Sequence, residues 1–163
     1  MWEVRKSKIH SKGVFAKKNI KKNTQIIEYI GEKVTKAEGD RRSSERIKKF
    51  TNSRQSGSVY IFELNKKYDI DGFVSRNKAK FINHSCNPNC EVDIFDGKIW
   101  ISSIKNIKKD EELSYDYGYT FDKEDYKDHI CKCGSKNCIG FIISSDEWKK
   151  YLRYLSKIIN KKK

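Results

Sequence analysis

The sequence is poor in the residues and patterns that mark linkers, membrane spans and secreted proteins. It contains a single proline in 163 residues, which leaves little room for a low-complexity linker. No apolar run approaches the ~20 residues that a membrane-spanning helix needs. The first residues, MWEVRKSKI, lack the apolar stretch of a secretory signal. With this length and 12% aromatic residues, we expect one folded intracellular domain that is long enough to bury a core.

Acidic residues are scarce and unevenly placed. The net charge is +14, yet residues 110–128 hold eight acids against two lysines, which makes this segment −6 and the remainder +20. Two interpretations stay open. The chain is either Lys-rich with a solvated surface, or it carries an acidic patch that receives a basic substrate beside a basic face that contacts nucleic acid.

The five cysteines lack the even number that a disulfide framework requires. An odd count without a signal peptide favours a reduced protein. Cys131, Cys133 and Cys138 form a C-x-C-x4-C motif in CKCGSKNC, and three thiolates at this spacing fit three corners of a tetrahedral Zn²⁺ site. The fourth ligand must come from elsewhere, and Cys86 or Cys90 is the obvious source. Reactive or incidental thiols are the alternative interpretation.

Strand signals dominate the rest of the chain. QIIEYIGE (25–32) is rich in β-branched and aromatic residues, which favours a strand. SVYIFEL and KYDIDG (58–72) indicate a hairpin, and EVDIFDGKIWIS (91–102) carries an Asp-Gly turn between apolar runs, the strongest short hairpin signal. The alternation in the first hairpin predicts that three side chains share one face: Tyr60, Phe62 and Leu64.

Two helices are predicted, each beginning with a capping box. The first starts at Thr35 with Glu38, and its highly charged interior predicts an exposed helix. The second starts at Ser144 with Glu147. Apolar side chains recur at helical spacing after it and are expected to face a core: Trp148, Tyr151, Leu152, Leu155, Ile158 and Ile159.

Two further patterns concern turns. FINHSCNPNC (81–90) concentrates Asn, Ser, Cys and the lone proline, a mixture that favours a sharply turning backbone over a helix or a plain strand. KNIKKNTQIIEYIG (18–31) and KNIKKDEELSYDYG (105–118) share KNIKK and the terminal glycine. We interpret this internal similarity as one sequence pattern used twice, in which a turn leads into a strand that ends with tyrosines.

The ordered series of these segments resembles the SET-domain protein-lysine methyltransferases. HSKGVFA (10–16) is similar to the cofactor loop of that family, and IIEYIGE (26–32) to its next strand. The hairpin of SVYIFEL and YDIDG follows in family order. FINHSC and ELSYDYG are similar to the two signature segments, and CKCGSKNCIGFI to the post-SET zinc segment. The resemblance runs nearly from end to end, and six such segments in family order are highly specific.

The resemblance implies a mostly β fold with a few helices, of the α+β class. In this fold the C-terminal signature strand threads under the loop formed by the other signature segment, a knot-like exception to the usual topology rules. The implied organisation is a SET domain over 1–120 with a variable insert at about 33–57, a post-SET zinc segment over 121–143, and a C-terminal helix over 144–163.

The resemblance also implies the residues that bind cofactor and metal. Cys86 becomes the fourth zinc ligand beside Cys131, Cys133 and Cys138, and Cys90 becomes a spare thiol. Residues expected to bind S-adenosylmethionine are Ser11, Lys12, Gly13, Tyr60, Asn83, His84, Tyr117 and Phe141. For His84 the alternative is a structural histidine that orients the knot by hydrogen bonding.

Methyl transfer to lysine needs the neutral amine, although free lysine has a pKa of ~10.4. A narrow, dry aromatic channel lowers that pKa and tolerates a methylated ammonium. The residues implied as channel walls are Tyr29, Phe62, Tyr115 and Tyr117. Tyr117 matches the catalytic tyrosine of the family. Tyr115 matches the position that sets how many methyl groups fit, and a tyrosine at that position favours mono-methylation. Ordinary core packing is the alternative for Tyr29 and Phe62.

Two positions depart from the family pattern. Ser11 stands where the cofactor loop usually has glycine, so a positive φ there would carry strain. Lys80 stands where arginine usually precedes FINH, and a lysine cannot offer a bidentate fork. Both departures are expected to weaken cofactor binding.

The sequence therefore predicts an S-adenosylmethionine-dependent methyltransferase acting on lysine in a basic protein, a histone or a histone-like protein, with a preference for mono-methylation. A minimal catalytic unit of this kind is expected to depend on an activating protein partner. The alternative is a catalytically weak, zinc-stabilised SET module that binds nucleic acid or nucleosomes through its basic face. The expected location is the nucleus in a eukaryote and otherwise the cytoplasm.

Overall fold

The computed structural model describes residues 1–50 and 59–161. In chain order, the strands in this part of the chain are β1 Trp2–Lys6, β2 Lys12–Ala16, β3 Gln25–Glu28, β4 Glu32–Thr35, β5 Ile61–Glu63, β6 Tyr68–Asp71, β7 Asn83–His84, β8 Cys90–Phe95, β9 Lys98–Ser103 and β10 Ser114–Tyr115. The α-helices are α1 Lys36–Phe50 and α2 Trp148–Lys161. Short 3-10 helices span Ala79–Phe81, Tyr126–Asp128 and Ser145–Glu147.

The strands form four small sheets rather than one large one. β1 pairs with β2, β9 lies between β3 and β8, and β6 lies between β4 and β5, all antiparallel. The fourth sheet pairs β7 with β10 in parallel, with Asn83 opposite Ser114 and His84 opposite Tyr115. The predicted mostly β, α+β fold class is confirmed. The threading of one signature segment through the other stays a prediction.

Both predicted hairpins are present. β8 and β9 are joined at Asp96 and Gly97, which have φ values of 50° and 67°, as a type I′ turn requires. β5 and β6 form the other hairpin, although Ser58 lies outside the described residues. The predicted face of this hairpin is wrong at one position. Tyr60 precedes β5 with a φ of 57°, so the alternation does not extend to it.

The strand predicted over 25–32 is interrupted. β3 ends at Glu28, and the chain enters a different sheet at Glu32. Between them, Gly31 lies so close to the backbone of Asp71 that a Cβ at Gly31 would collide with the Asp71 carbonyl group. The close approach of β6 therefore decides the break, which strand propensity does not detect.

Helix α1 begins where the sequence predicts and is mostly exposed, as expected. The hydroxyl of Thr35 accepts a hydrogen bond from the Glu38 N–H group at 3.3 Å, so half of the capping box forms. The Glu38 carboxylate instead pairs with Arg41 and Arg42. The range 33–57, predicted as a variable insert, covers most of β4 and all of α1, and its last residues lie outside the described part of the chain. That it is a variable insert stays a prediction.

Helix α2 differs from the prediction at its start and on one face. Ser144 makes no side-chain cap and precedes a 3-10 turn, and Glu147 pairs with Lys150 instead of reaching back. Leu152 and Ile159 are 52% and 58% exposed, so the predicted apolar stripe faces the core only in part. Within 1–50 and 59–161, neither helix is long and apolar enough to cross a bilayer.

The buried side chains form two clusters. The larger one fills the space between the sheets and includes Ile82, Ile101 and Leu113. The smaller one holds the segment after β10 against α2, and its buried members are Phe121, Tyr126, Ile143 and Tyr151. Tyr115 of β10 belongs to the larger cluster, so the parallel pair β7–β10 adjoins the main core.

Candidate active site and metal centre

The turn formers of FINHSCNPNC connect β7 to β10. The side-chain oxygen of Asn89 accepts a hydrogen bond from the Ser114 N–H group at 2.8 Å, and its amide donates to the Glu112 carbonyl oxygen at 2.8 Å. The Asn89 N–H group donates to the Ser114 carbonyl oxygen at 3.2 Å. One buried side chain thus satisfies backbone groups that a two-residue strand leaves unpaired.

Asn83 connects this pair to the β1–β2 sheet. Its amide nitrogen donates to the Lys12 carbonyl oxygen at 2.9 Å and to the Glu112 carboxylate at 2.7 Å. Gly13 lies beside the same carboxylate, where a Cβ would collide with Glu112. The segment around Ser11 and Lys12 is therefore held next to Asn83, as the sequence predicts for one cofactor site.

The four predicted channel residues form one continuous row of rings. The ring centroids lie 5.0 Å apart for Tyr29 and Phe62, 6.0 Å for Phe62 and Tyr115, and 5.0 Å for Tyr115 and Tyr117. Burial is the largest cause that raises the pKa of all three tyrosines above the ordinary value. Each phenol is therefore neutral and protonated at neutral pH.

Tyr117 is held by two hydrogen bonds to the other signature segment. Its hydroxyl donates to the Ile82 carbonyl oxygen at 3.0 Å, and its N–H group donates to His84 Nδ1 at 3.2 Å. Burial lowers the pKa of His84 more than nearby Asp116 raises it. Because Nδ1 accepts, the proton of the neutral imidazole belongs on Nε2, which lies 3.6 Å from the sulfur of Cys86.

Tyr60 is held in a strained backbone conformation at the end of this row. Its φ of 57° is uncommon for a bulky residue and costs on the order of 1 kcal/mol or more. Its carbonyl oxygen accepts hydrogen bonds from the Tyr29 hydroxyl at 3.0 Å and from the Gly72 N–H group at 2.8 Å. Its ring stacks on Phe73, with centroids 5.8 Å apart. The surrounding contacts therefore stabilise a conformation that the residue alone disfavours.

A cleft of about 700 Å³ lies beside Tyr117. The predicted cofactor residues that line it are Ser11, Lys12, Tyr60, Asn83, His84 and Tyr117. Gly13 is outside the lining. Phe141 is also outside it, because its ring packs in the smaller cluster, 4.9 Å from that of Tyr126, and Ile142 lines the cleft instead.

Sequence reasoning did not assign several other lining residues, among them His10, Phe81, Tyr119 and Lys132. A signal existed for His10, which begins the HSKG segment, and for Lys132, which lies between two of the zinc-spaced cysteines. Phe81 is half-buried and lines the cleft, whereas its neighbour Ile82 is 1% exposed and anchors the segment in the core.

The two departures from the family pattern have different outcomes. Ser11 is not among the residues with positive φ in the described part of the chain, so the strain expected there is absent. Lys80 lines the cleft, and its ammonium donates to the Val74 carbonyl oxygen at 2.8 Å. It lies 5.4 to 5.6 Å from the ring centroids of Tyr60, Phe73 and Phe81, and burial lowers its pKa. One lysine thus makes three cation–π contacts in place of a guanidinium fork.

Four cysteine sulfurs converge behind the cleft, all within 4.8 Å of one another: Cys86, Cys131, Cys133 and Cys138. Cys86 lies 3.8 Å from Cys131 and 3.9 Å from Cys138, close to the ~3.8 Å edge of a tetrahedron with Zn–S bonds of about 2.3 Å. The donor set therefore fits a structural zinc ion. Cys90 is buried elsewhere, against the side-chain oxygen of Asn89, as expected of a spare thiol.

Several acids of the segment 110–128 bind other groups of the same chain, although six of the eight are exposed. Asp110 pairs with Arg5, Glu112 binds Asn83, and Asp116 accepts a hydrogen bond from the Ser145 N–H group. Among its eight acids, Asp128 alone lines the cleft in the described residues. That acidic residues at the opening of the cleft receive a basic substrate stays a prediction. Asp128 is the residue that best fits it.

The fold and the site define a mostly β domain in which two neighbouring segments build a cleft at the end of an aromatic row, with a four-cysteine metal site behind it. Residues 11–118 match the family model described as SET domain. That match covers about two thirds of the chain, and the chain belongs to the SET-domain family.

Curated relatives carry consistent names. The chain is 42% identical over 143 residues to "Histone-lysine N-methyltransferase, H3 lysine-4 specific" of Aspergillus oryzae, covering 84% of this chain and 11% of that protein. It is 39% identical over 137 residues to "Histone-lysine N-methyltransferase 2D" of Homo sapiens, covering 82% of this chain and 2% of that protein. A Saccharomyces cerevisiae protein with the same name as the Aspergillus protein is 34% identical over 141 residues. The match covers 84% of this chain and 13% of that protein. The chain thus spans a small part of these relatives.

Proposed function

We propose that the chain transfers a methyl group from S-adenosylmethionine to the side-chain amine of a lysine in a histone. The observation that carries this proposal is the row of Tyr29, Phe62, Tyr115 and Tyr117, which ends at the cleft beside the parallel strand pair. The names of the relatives supply the substrate class, histone H3 for the Aspergillus and Saccharomyces proteins.

The cofactor fits the cleft in size and in donor set. A volume of about 700 Å³ lies within the usual range for ligand sites. Backbone groups near Ser11 and Lys12, the ring of Tyr60, and the segment Asn83–His84 would hold it. When bound, S-adenosylmethionine supplies an electrophilic methyl group on a sulfonium. Asn83 and His84 are buried, so their side of the cleft would exclude water from the cofactor.

The residues of this chain would prepare the lysine nucleophile. A lysine amine in water is almost wholly protonated, since its pKa is ~10.4. An amine that enters the row of buried rings loses hydration, which disfavours the ammonium form and lowers its pKa. The same rings hold the amine in line, and proximity of this kind supplies a large part of such barriers.

Tyr117 is the residue to which we assign the central role. Its phenol proton is committed to the Ile82 carbonyl oxygen, so the lone pairs of the hydroxyl oxygen remain available to accept weak C–H hydrogen bonds from a methyl group. The neutral phenol also adds no negative charge that would favour the ammonium. Tyr117 thus acts by orientation and electrostatics and not as a general base.

Tyr115 supports the proposal that the product is mono-methyl-lysine. Its side chain is buried between Phe62 and Tyr117. Its hydroxyl would crowd an amine that carries a second methyl group. Phenylalanine at this position would free that space.

The zinc ion would hold residues 131–138 against Cys86, next to the cleft wall formed by Cys131 and Lys132.

The test is methyl incorporation from labelled S-adenosylmethionine into recombinant histones, with the product read by mass. We expect one added methyl group on lysine with the wild type and a loss of at least 100-fold with Tyr117→Phe. Tyr68→Phe, a partly buried tyrosine on β6, serves as the matched control with unchanged activity. Incorporation that survives in Tyr117→Phe would overturn the assigned role.

A second candidate is a SET module that binds nucleic acid or nucleosomes without turnover, which the net charge of +14 favours. It predicts a folded, zinc-loaded protein that shows no incorporation even with a partner complex present. Measured transfer to lysine would exclude it as the main function. A dependence of activity on a protein partner is a separate proposal, tested by adding chromatin-complex fractions to the same assay.

A further inference from the structure

The two copies of KNIKK meet in the folded protein. Ile20 and Ile107 form an antiparallel bridge in which each N–H group donates to the other carbonyl oxygen at 2.8 Å. The copies are related by a local two-fold arrangement. Asn19 accepts a hydrogen bond from the Lys109 N–H group at 2.8 Å, and Asn106 accepts one from the Lys22 N–H group at 2.9 Å. The two similar segments of the sequence are therefore paired with each other in the structure.

This pairing turns the lysines outward. Ile20 and Ile107 are 3% and 1% exposed, so the side chains that flank them cannot also enter the core. Further backbone contacts hold the first copy in place, since the Lys21 carbonyl oxygen accepts from the Ser103 hydroxyl at 2.7 Å. Seven lysines lie on the two paired segments: Lys17, Lys18, Lys21, Lys22, Lys105, Lys108 and Lys109. We call this surface the paired-KNIKK face.

The paired-KNIKK face carries seven lysines on two short segments. None of its seven lysines takes part in an ion pair among the described residues, and six of them are exposed. The seventh, Lys105, donates to the neutral amide of Asn87. Two acids adjoin the second segment in sequence: Asp110 pairs with Arg5, and the Glu111 carboxylate accepts a hydrogen bond from the Lys108 N–H group.

We propose that the paired-KNIKK face binds the phosphate backbone of duplex DNA without sequence preference. Its composition favours this partner among polyanions. It has no arginine for bidentate readout of base edges and no aromatic ring on which unpaired bases could stack. What it offers is a compact set of lysine point charges, which suits phosphates and positions a protein without reading bases. The face is outside the cleft lining, so this binding is separate from the proposed methyl transfer.

The test measures binding of a labelled random-sequence DNA duplex over a series of salt concentrations, by fluorescence anisotropy. Each phosphate contact contributes about 0.9 to the slope of log K against log salt. We expect the quadruple variant Lys18→Gln, Lys21→Gln, Lys108→Gln, Lys109→Gln to reduce that slope by about three to four and to weaken binding at least tenfold at low salt. The double variant Lys18→Gln, Lys109→Gln should lose about half as much slope.

A control variant of equal net charge separates a specific face from charge alone. Lys66→Gln, Lys67→Gln, Lys149→Gln and Lys157→Gln remove four exposed lysines elsewhere, and this variant should keep a slope within one unit of the wild type. Circular dichroism and zinc content verify folding of each variant. Equal losses in the two quadruple variants would overturn the proposal, as would poly-glutamate competing as strongly as unlabelled duplex at equal charge concentration. An absence of wild-type binding at 50 mM salt would also overturn it.

Discussion

Replacing Asp71 by asparagine should detach α1 from the sheet that carries it. The Asp71 side chain is 4% exposed, and Arg46 donates to its two oxygens at 2.7 and 2.6 Å. Arg42 donates to it at 2.8 Å and the Phe73 N–H group at 3.0 Å. Asparagine keeps the size of the side chain but removes the charge, so both guanidinium groups lose their buried partner.

The pKa of Asp71 determines how much its ionised carboxylate contributes to the free energy of unfolding. Burial acts to raise it, but the hydrogen bonds from Arg46 and Arg42 outweigh burial and hold it at about 2 instead of 3.8. Since one unit of pKa corresponds to about 1.36 kcal/mol, the ionised carboxylate adds about 2.5 kcal/mol to the free energy of unfolding at pH 7. This contribution is complete above the unfolded pKa, falls to about half near pH 3, and disappears as the pH drops through 2.

The assay is urea denaturation of the wild type and Asp71→Asn at pH 7 and at pH 3. We expect a loss of about 2–3 kcal/mol at pH 7 and a difference about half as large at pH 3. Glu45→Gln is the control, because Glu45 pairs with Arg41 in a largely exposed ion pair, and such pairs contribute little. A loss below 0.5 kcal/mol at pH 7, or a difference that does not change with pH, would refute the reasoning.

Three further predictions concern the metal, the glycines and the product. Removing zinc with a chelator, or Cys133→Ser, should lower zinc content and methyl transfer together, whereas Cys90→Ser should leave both unchanged. Gly31→Ala should cost about 1–3 kcal/mol by overpacking against backbone, and Gly97→Ala about 1 kcal/mol from its positive φ alone, both measured by thermal or urea unfolding. Tyr115→Phe should shift the product from mono- towards di- and tri-methyl-lysine by mass; an unchanged product distribution would contradict the steric argument.

Local chemistry was sufficient for several features of the fold. The Asp-Gly turn between apolar runs predicts the β8–β9 hairpin because a type I′ turn needs positive φ at two adjacent positions. Thr35 predicts the start of α1 because its hydroxyl reaches an N–H group only three residues away. The spacing of three cysteines likewise predicts a metal site, since neighbouring thiolates need a cation between them.

Choices among distant residues needed the tertiary structure. Residue spacing left Cys86 and Cys90 equal as fourth ligands, and the fold separates them by placing one at the cluster and the other against Asn89. Propensity predicted an unbroken strand through Gly31, which the close backbone of Asp71 interrupts.

The sequence by itself determined the β8–β9 turn, the first helix cap and the three clustered cysteines, because each depends on neighbours a few residues apart. The aromatic residues proposed for the site followed from the resemblance to the SET-domain family. The tertiary structure decided that Ile142 and not Phe141 faces the cleft, that Tyr60 adopts a positive φ, and that the two KNIKK copies lie side by side. Each of these depends on contacts between segments far apart in the chain, and packing against a distant surface overrides what local propensity favours.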